Sequence, residues 1–384
     1  MRVTLQNLIR CVGAGILGAA LNALSVSAAP IETPAPFALL MDIRTGAVLF
    51  EKNADQPLQP ASMSKIMTAF MVFERLKAGH LSLDHTFPVS EKAWRTGGSK
   101  MFLEVGKDAR VEDLLRGVIV QSGNDASIVL AEGLAGSEEA FAEKMTQRAH
   151  QLGMKTSQFK NATGLPDPEH VMTARELALL VEHTITEFPD YYHYYSEISF
   201  TFNGIKQGNR NPLLYKNLGA DGLKTGHTES AGYGLAASAE RDGRRLVLVL
   251  HGLENDKKRA QEAERILEFG FREFENYALF KAGDVVENAE VWLGEAPTVP
   301  LIVPTDVVVT LPRAERRALK VAAVYAGPVP APISKGTPIA TLVVSTPATQ
   351  TLEVPLVAGA EIDKLGLLGR LGATLDHLLW GQRM

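Results

Sequence analysis

From Ser62 to Ala78 the chain is apolar on nearly every side of a helix, through Met63, Ile66, Met67, Phe70, Met71, Phe73 and Leu76. A helix that is hydrophobic all round has no face to show to water, so the rest of the fold must be built around it. Pro60 stands just before the segment and Gly79 just after it, where it acts as a stop. Lys65 interrupts the apolar pattern three residues after Ser62, so the two side chains share one face and can touch. Such a lysine is either an ordinary surface residue or one desolvated enough for its pKa to fall.

Around this helix the pattern predicts one α+β domain. The runs Phe37 to Ile43 and Ala47 to Glu51 flank Arg44-Thr45-Gly46 as a β-hairpin. Ser137 is a plausible N-cap for a helix reaching Gly153, and Thr173 with Glu176 has capping-box spacing. Strand patterns follow at Glu197 to Asn203, Tyr233 to Glu240 and Arg245 to Leu253, the last two joined across Asp242-Gly243, and then a helix from Asp256 to Phe274. Strands at both ends with helices between them predict an antiparallel sheet carrying helices.

From about Ala278 the composition shifts to Val, Pro and Thr in short runs, Val285 to Leu293, Asp306 to Leu311, Leu319 to Tyr325 and Thr337 to Ser345, which predict a small all-β domain. A length of 384 residues, 46% of them hydrophobic, suits two domains. In the last segment, Glu361 to Trp380, residues Ile362, Leu365, Leu368, Leu371, Leu375, Leu378 and Leu379 recur at helical spacing near Lys364, Arg370 and Arg383. That amphipathic helix either lies on a membrane surface or packs on the protein, and Gly366, Gly369 and Gly372 weaken it in isolation.

At the N-terminus, Arg2 and Arg10, the apolar stretch Cys11 to Leu24 and the small residues Val26, Ser27 and Ala28 read as an export signal with cleavage expected after Ala28, the alternative being an uncleaved membrane anchor for which the apolar run is short. The expected boundaries are therefore 1–28 for the signal, 35–276 for the α+β domain, 277–358 for the all-β domain and 359–384 for the amphipathic segment. The single cysteine, Cys11, falls inside the signal. The mature chain then has no disulfide, no thiol nucleophile and no Cys-based zinc site, and it carries no His-Glu-x-x-His pattern. Any nucleophile is oxygen. A net charge of -5 gives no general footprint for nucleic acid.

Three short patterns carry chemistry. Ser62-Met63-Ser64-Lys65 pairs a hydroxyl, a poor nucleophile by itself, with an amine that can serve as its base once desolvated. Ser122-Gly123-Asn124 sits between the apolar run Leu114 to Val120 and the helical stretch from Asp125. It is either a plain turn or a place where a serine passes a proton to a departing amine while an asparagine amide grips substrate backbone. Lys224-Thr225-Gly226 precedes the strand from Tyr233. It is either a solvated turn or a sheet edge that takes an extended peptide while Lys224 and Thr225 meet a terminal carboxylate.

In this order the three resemble the motif set of penicillin-binding proteins and serine β-lactamases. The wording Pro60-Ala61-Ser62-Met63-Ser64-Lys65, Gln121-Ser122-Gly123-Asn124-Asp125-Ala126 and Asp221-Gly222-Leu223-Lys224-Thr225-Gly226-His227-Thr228 is similar to the low-molecular-mass D-alanyl-D-alanine carboxypeptidases, from about Phe37 to Trp380. The resemblance implies a serine β-lactamase/penicillin-binding transpeptidase-like domain. It implies Ser62 as acylated nucleophile, Lys65 as its base, and Ser122 with Asn124 as the second catalytic element. Lys224, Thr225 and Gly226 would line the opposite wall. The backbone amides of Ser62 and His227 would form the oxyanion hole, worth about 2.7 to 4 kcal/mol per donor. Arg259 would stand near the carboxylate pocket.

The implied substrate is a peptidoglycan stem peptide ending in D-Ala-D-Ala, which loses its terminal D-Ala, with β-lactams as covalent inhibitors. No cofactor and no metal are implied. The implied location is the periplasm, on the outer face of the cytoplasmic membrane. A β-lactamase would call for a glutamate before Lys-Thr-Gly, and none matches convincingly. Asn161-Ala162-Thr163-Gly164-Leu165 instead resembles the peptidases. An endopeptidase cutting DD-crosslinks, or a non-catalytic β-lactam sensor, stays open as an alternative.

Overall fold

Five consecutive residues, Leu246 to Leu250, are wholly buried within one strand. Successive side chains of a strand point to opposite faces, so the sheet that holds this strand is covered on both sides. The computed structural model describes residues 31–347, 351–366 and 369. The expected signal and most of the C-terminal segment lie outside those residues.

The sheet is antiparallel throughout. It contains β1 (Phe37–Asp42), β2 (Ala47–Lys52), β3 (Ala220–Thr228), β4 (Gly232–Arg241) and β5 (Arg244–Leu253), in the order β2-β1-β5-β4-β3. On one face Leu39, Val48, Ala236, Val247 and Val249 share a core with the helical block. That block holds α1 (Lys65–Lys77), α2 (Val111–Ile119), α3 (Asn124–Ala135), α4 (Glu138–Gln151) and α5 (Ala174–Glu187). On the other face lies α6 (Asp256–Glu273), where a Cβ on Gly270 would come within 2.7 Å of Leu40 and 2.8 Å of Leu246. The alternation of Leu39 with Leu40 and of Leu246 with Val247 thus divides one apolar run between two helical layers.

The expected central helix is α1, buried at Ile66, Met67, Ala69, Phe70, Val72, Phe73 and Leu76. It starts later than expected, because Ala61–Ser64 form a tight 3-10 turn ahead of it. Both caps are present: the Ser137 side chain accepts from the Ala140 N–H, and Thr173 and Glu176 close a reciprocal capping box. Asp242 and Gly243, both at positive φ, turn β4 into β5 as the paired hairpin pattern predicts. One strand falls elsewhere: Ser199–Phe202 pairs with Ile205–Gly208 in a separate ribbon outside the main sheet. Its residues are only half-buried or exposed, and it meets the helical core through Phe200 and Phe202.

The chain divides into two compact units at Arg272/Glu273. In the second, a six-stranded sheet runs in the order Lys320–Val324, Pro338–Ser345, Leu352–Ala358, Thr298–Ile302, Val285–Trp292, Val329–Pro330. Phe274–Phe280 pairs with Val307–Pro312 beside it. The amphipathic helix expected from Glu361 does not begin there. Ile362 bridges to Ile333 and Lys364 to Gly294, and Ile362 is buried in the β core, which pulls these residues into extended pairing.

Candidate active site

The 3-10 turn decides the first contact. With three residues per turn, residues three apart stack above one another, and Lys65 Nζ lies 3.2 Å from Ser62 Oγ. Nζ also donates to Asn124 Oδ1 at 2.7 Å and to the Thr163 carbonyl. Lys65 is 1% exposed. Burial lowers its pKa to about 7, helped by the positive charge of Arg210 and opposed by the carboxylates of Asp125 and Glu138. Of the two readings open to this lysine, the desolvated one is the one the fold realises.

Ser122 and Asn124 come from the junction between α2 and α3. Ser122 sits at φ +58° with its hydroxyl buried and without a hydrogen-bond partner among the described residues. A buried polar group without a partner in the protein is characteristic of a site that receives one from a ligand. The Asn124 amide, expected to hold substrate, is tied to the protein at both ends: Oδ1 accepts from Lys65 and Nδ2 donates to the Gly97 carbonyl at 2.8 Å. One Nδ2 hydrogen remains for a ligand.

Lys224, Thr225, Gly226 and His227 lie in β3, the edge strand of the sheet, so the motif is strand rather than turn. Gly226 lets that edge reach the turn that carries Ser62: a Cβ there would stand 2.7 Å from the Pro60 carbonyl oxygen and 3.3 Å from Ala61 Cβ. Lys224 is buried and donates to the Thr225 carbonyl. Its pKa is well below the usual range through burial, with the charges of Lys65, Arg210 and Arg259 pushing the same way. The exposed His227 ring lies tilted against Tyr233 with centroids 3.9 Å apart, and the Arg259 guanidinium lies over the same Tyr233 ring at 5.6 Å. Arg259 is 8% exposed, with its Nε unpartnered among the described residues.

Two further neighbours stand outside the three motifs, Arg210 unmarked by the sequence and Thr163 inside the segment that resembles the peptidases. Arg210, bonded to Ser99 Oγ at 2.5 Å, places its charge close enough to lower Lys65, Lys224 and Arg259 alike. Thr163 reaches Lys65 through its backbone carbonyl, which no side-chain motif reveals. Among the described residues there is no group of His, Cys, Asp or Glu suited to a metal ion.

A hydroxyl beside a buried amine of lowered pKa, with a second hydroxyl and several cations around it, can carry an acyl group through a serine, which makes this an active-site-serine hydrolase. Residues 23–255 match the family model for D-alanyl-D-alanine carboxypeptidase, and residues 274–364 match the penicillin-binding protein 5 C-terminal domain. The chain belongs to the D-alanyl-D-alanine carboxypeptidase family of serine peptidases. The Escherichia coli D-alanyl-D-alanine carboxypeptidase DacC is 39% identical over 341 residues, covering 87% of this chain and 85% of the relative. Penicillin binding protein 5 from Haemophilus influenzae superposes with a TM-score of 0.80 at 36% identity, over 88% of this chain and 100% of that one. Penicillin-binding protein D2 from Listeria monocytogenes, in its ampicillin-bound form, superposes with a TM-score of 0.58 at 31% identity, over 63% of this chain and 100% of that one. The expected fold, a penicillin-binding-protein domain followed by an all-β domain, and the expected carboxypeptidase class are both borne out.

Proposed function

We propose that Ser62 attacks the carbonyl between the two D-Ala residues of a peptidoglycan stem peptide and releases the terminal D-Ala through an acyl-enzyme. The observation that carries this reading is the set of partners around Lys65 Nζ. A neutral amine has two N–H groups and one lone pair. The Asn124 and Thr163 carbonyl oxygens take the two N–H groups, so the lone pair is left for the Ser62 hydroxyl to donate to. With a pKa of about 7, the amine is half neutral near pH 7 and can take the proton as Ser62 Oγ bonds to carbon.

The backbone N–H groups of Ser62 and His227 take the developing oxyanion, supported by the close approach of β3 to the Pro60–Ala61 backbone at Gly226. The Ser122 hydroxyl, without a partner among the described residues, relays the proton that Lys65 took from Ser62 to the departing amine as the C–N bond breaks. Water then attacks the ester carbonyl and restores Ser62. The substrate carboxylate lies against Lys224 and Thr225, with Arg210 and Arg259 adding positive charge. A β-lactam carries a comparable carboxylate beside a reactive amide and acylates Ser62 in the same way, as the ampicillin-bound relative supports.

In this reading residues 1–28 export the chain to the periplasm, 35–276 form the catalytic domain, the following residues as far as the Lys364 bridge the all-β domain, and the amphipathic segment beyond it attaches the protein peripherally to the membrane. Among the described residues no helix is long and apolar enough to cross a membrane. The test is D-Ala release from diacetyl-L-Lys-D-Ala-D-Ala alongside labelling by a fluorescent penicillin. Both are expected from the native chain and neither from Ser62→Ala. Labelling that survives in Ser62→Ala refutes the nucleophile, and labelling without release points to an endopeptidase or a sensor.

A further inference from the structure

Behind Ser62 runs a buried polar chain that starts at Ser64 and continues through His170, which lies outside the three motifs. Ser64 Oγ donates to the Ala61 carbonyl at 2.8 Å and lies 2.9 Å from His170 Nε2. Having given its one hydrogen to Ala61, the Ser64 hydroxyl accepts from the His170 Nε2–H. The opposite ring nitrogen, Nδ1, faces the Lys160 N–H at 3.4 Å. Every link then has a donor and an acceptor, with the imidazole neutral and in a single tautomer. His170 is 2% exposed, lies edge-on to the Phe159 ring, and has its pKa lowered to about 4 by burial, so it stays neutral at neutral pH.

What this chain holds is the peptide plane between Ala61 and Ser62. In a trans peptide the C=O of one residue and the N–H of the next lie in one plane and point in opposite directions, so fixing the Ala61 oxygen fixes the aim of the Ser62 N–H. Ala61 sits at φ +50°, in the left-handed region that a residue with a Cβ avoids, so the plane needs restraint from outside the turn. Its oxygen is also closed in by Gly164, where a Cβ would stand 1.9 Å away.

We propose that His170, acting through Ser64, is a positioning residue that aims the Ser62 N–H at the oxyanion. The inference rests on the reading of Ser62 as nucleophile and its N–H as oxyanion donor. It predicts a loss confined to the transition state. Ser64→Ala and His170→Leu are expected to lower kcat for D-Ala release roughly 10- to 100-fold. They should weaken, by the same factor, a peptide boronic acid, whose tetrahedral Ser62 adduct places an oxygen in the oxyanion position. KM should stay within about twofold. Ser64→Thr, which keeps the hydroxyl, and His170→Gln, whose amide can both donate and accept, should restore most of kcat.

The thermal midpoint of each variant reports folding, and if His170→Leu does not fold, Ser64→Ala decides. Native kcat and boronate affinity in folded Ser64→Ala would overturn the inference. So would a loss in KM or thermal midpoint with kcat intact. Release that persists in Ser62→Ala would instead sink the underlying reading, which keeps the two failures apart.

Discussion

Lys65 costs the fold a buried amine, and in the proposed mechanism it serves as a base that works near neutral pH. Burial favours the uncharged form and brings its pKa to about 7, so the neutral fraction grows as pH rises through that value. The acylation rate of Ser62 is therefore expected to climb about tenfold per pH unit below pH 7 and to level off above it, measured by stopped-flow labelling with a fluorescent penicillin. A flat profile between about pH 5.5 and about pH 8, a span that brackets this pKa, would remove Lys65 from the role of base. Ser62, Lys65, Ser122, Asn124 and Lys224 were legible because each sits in a short pattern whose parts must be close in sequence. Arg210 and His170 were not, since each reaches the site only when distant loops fold together: Arg210 beside Ser99, and His170 beneath Ser64. The Asn124 role was legible only in part, because residue type does not say that Lys65 and Gly97 claim its amide.

Elements explain why the pieces meet. The apolar period of α1 and the caps at Ser137 and Thr173 were readable because a helix closes its own hydrogen bonds and announces its ends locally. β3 was harder: its Asp221-Gly222-Leu223-Lys224-Thr225-Gly226 carries little β-branched or alternating pattern, and its strand form comes from pairing with β4. Thr298–Ile302 and Leu352–Ala358, central to the second unit's sheet, likewise hold proline within short runs, at Pro300 and Pro355. The demand for glycine at Gly226 follows from that pairing, since β3 must pass the Pro60 carbonyl oxygen at a distance that leaves no room for a methyl group. Gly226→Ala should push the strand off the nucleophile turn, lowering the acylation rate about a hundredfold while costing about 1–3 kcal/mol of stability. Acylation at the native rate in that variant would mean that the strand and the turn adjust independently, and that the His227 N–H is not an oxyanion donor.

At the scale of the whole molecule, each unit closes a hydrophobic core of its own, one built from residues such as Leu39, Phe70 and Val247, the other from Val299, Leu342 and Leu356. A chain ending at Glu273 is thus expected to hydrolyse the soluble tripeptide with a kcat/KM within about threefold of the full chain. An inactive but folded fragment would show that the second unit shapes the cleft. Acid should act on the first unit. His170 and His251 are both buried, and burial takes each from the usual histidine value near 6.5 down to about 4. Above pH 6.5 both are neutral in the folded and the unfolded chain, and their contribution to stability is fully present. As pH falls from 6.5 towards 4, the unfolded chain takes up protons that the folded one refuses, so each histidine withdraws roughly 3 kcal/mol by pH 4. Carboxylates held in ion pairs add their own loss at lower pH, so the decisive comparison is between chains. The thermal midpoint should drop steeply over this window in the native protein and less steeply in His251→Gln, whose buried amide does not titrate. Parallel slopes in the two chains would show that His251 is protonated as readily folded as unfolded, and that its burial does not drive acid unfolding.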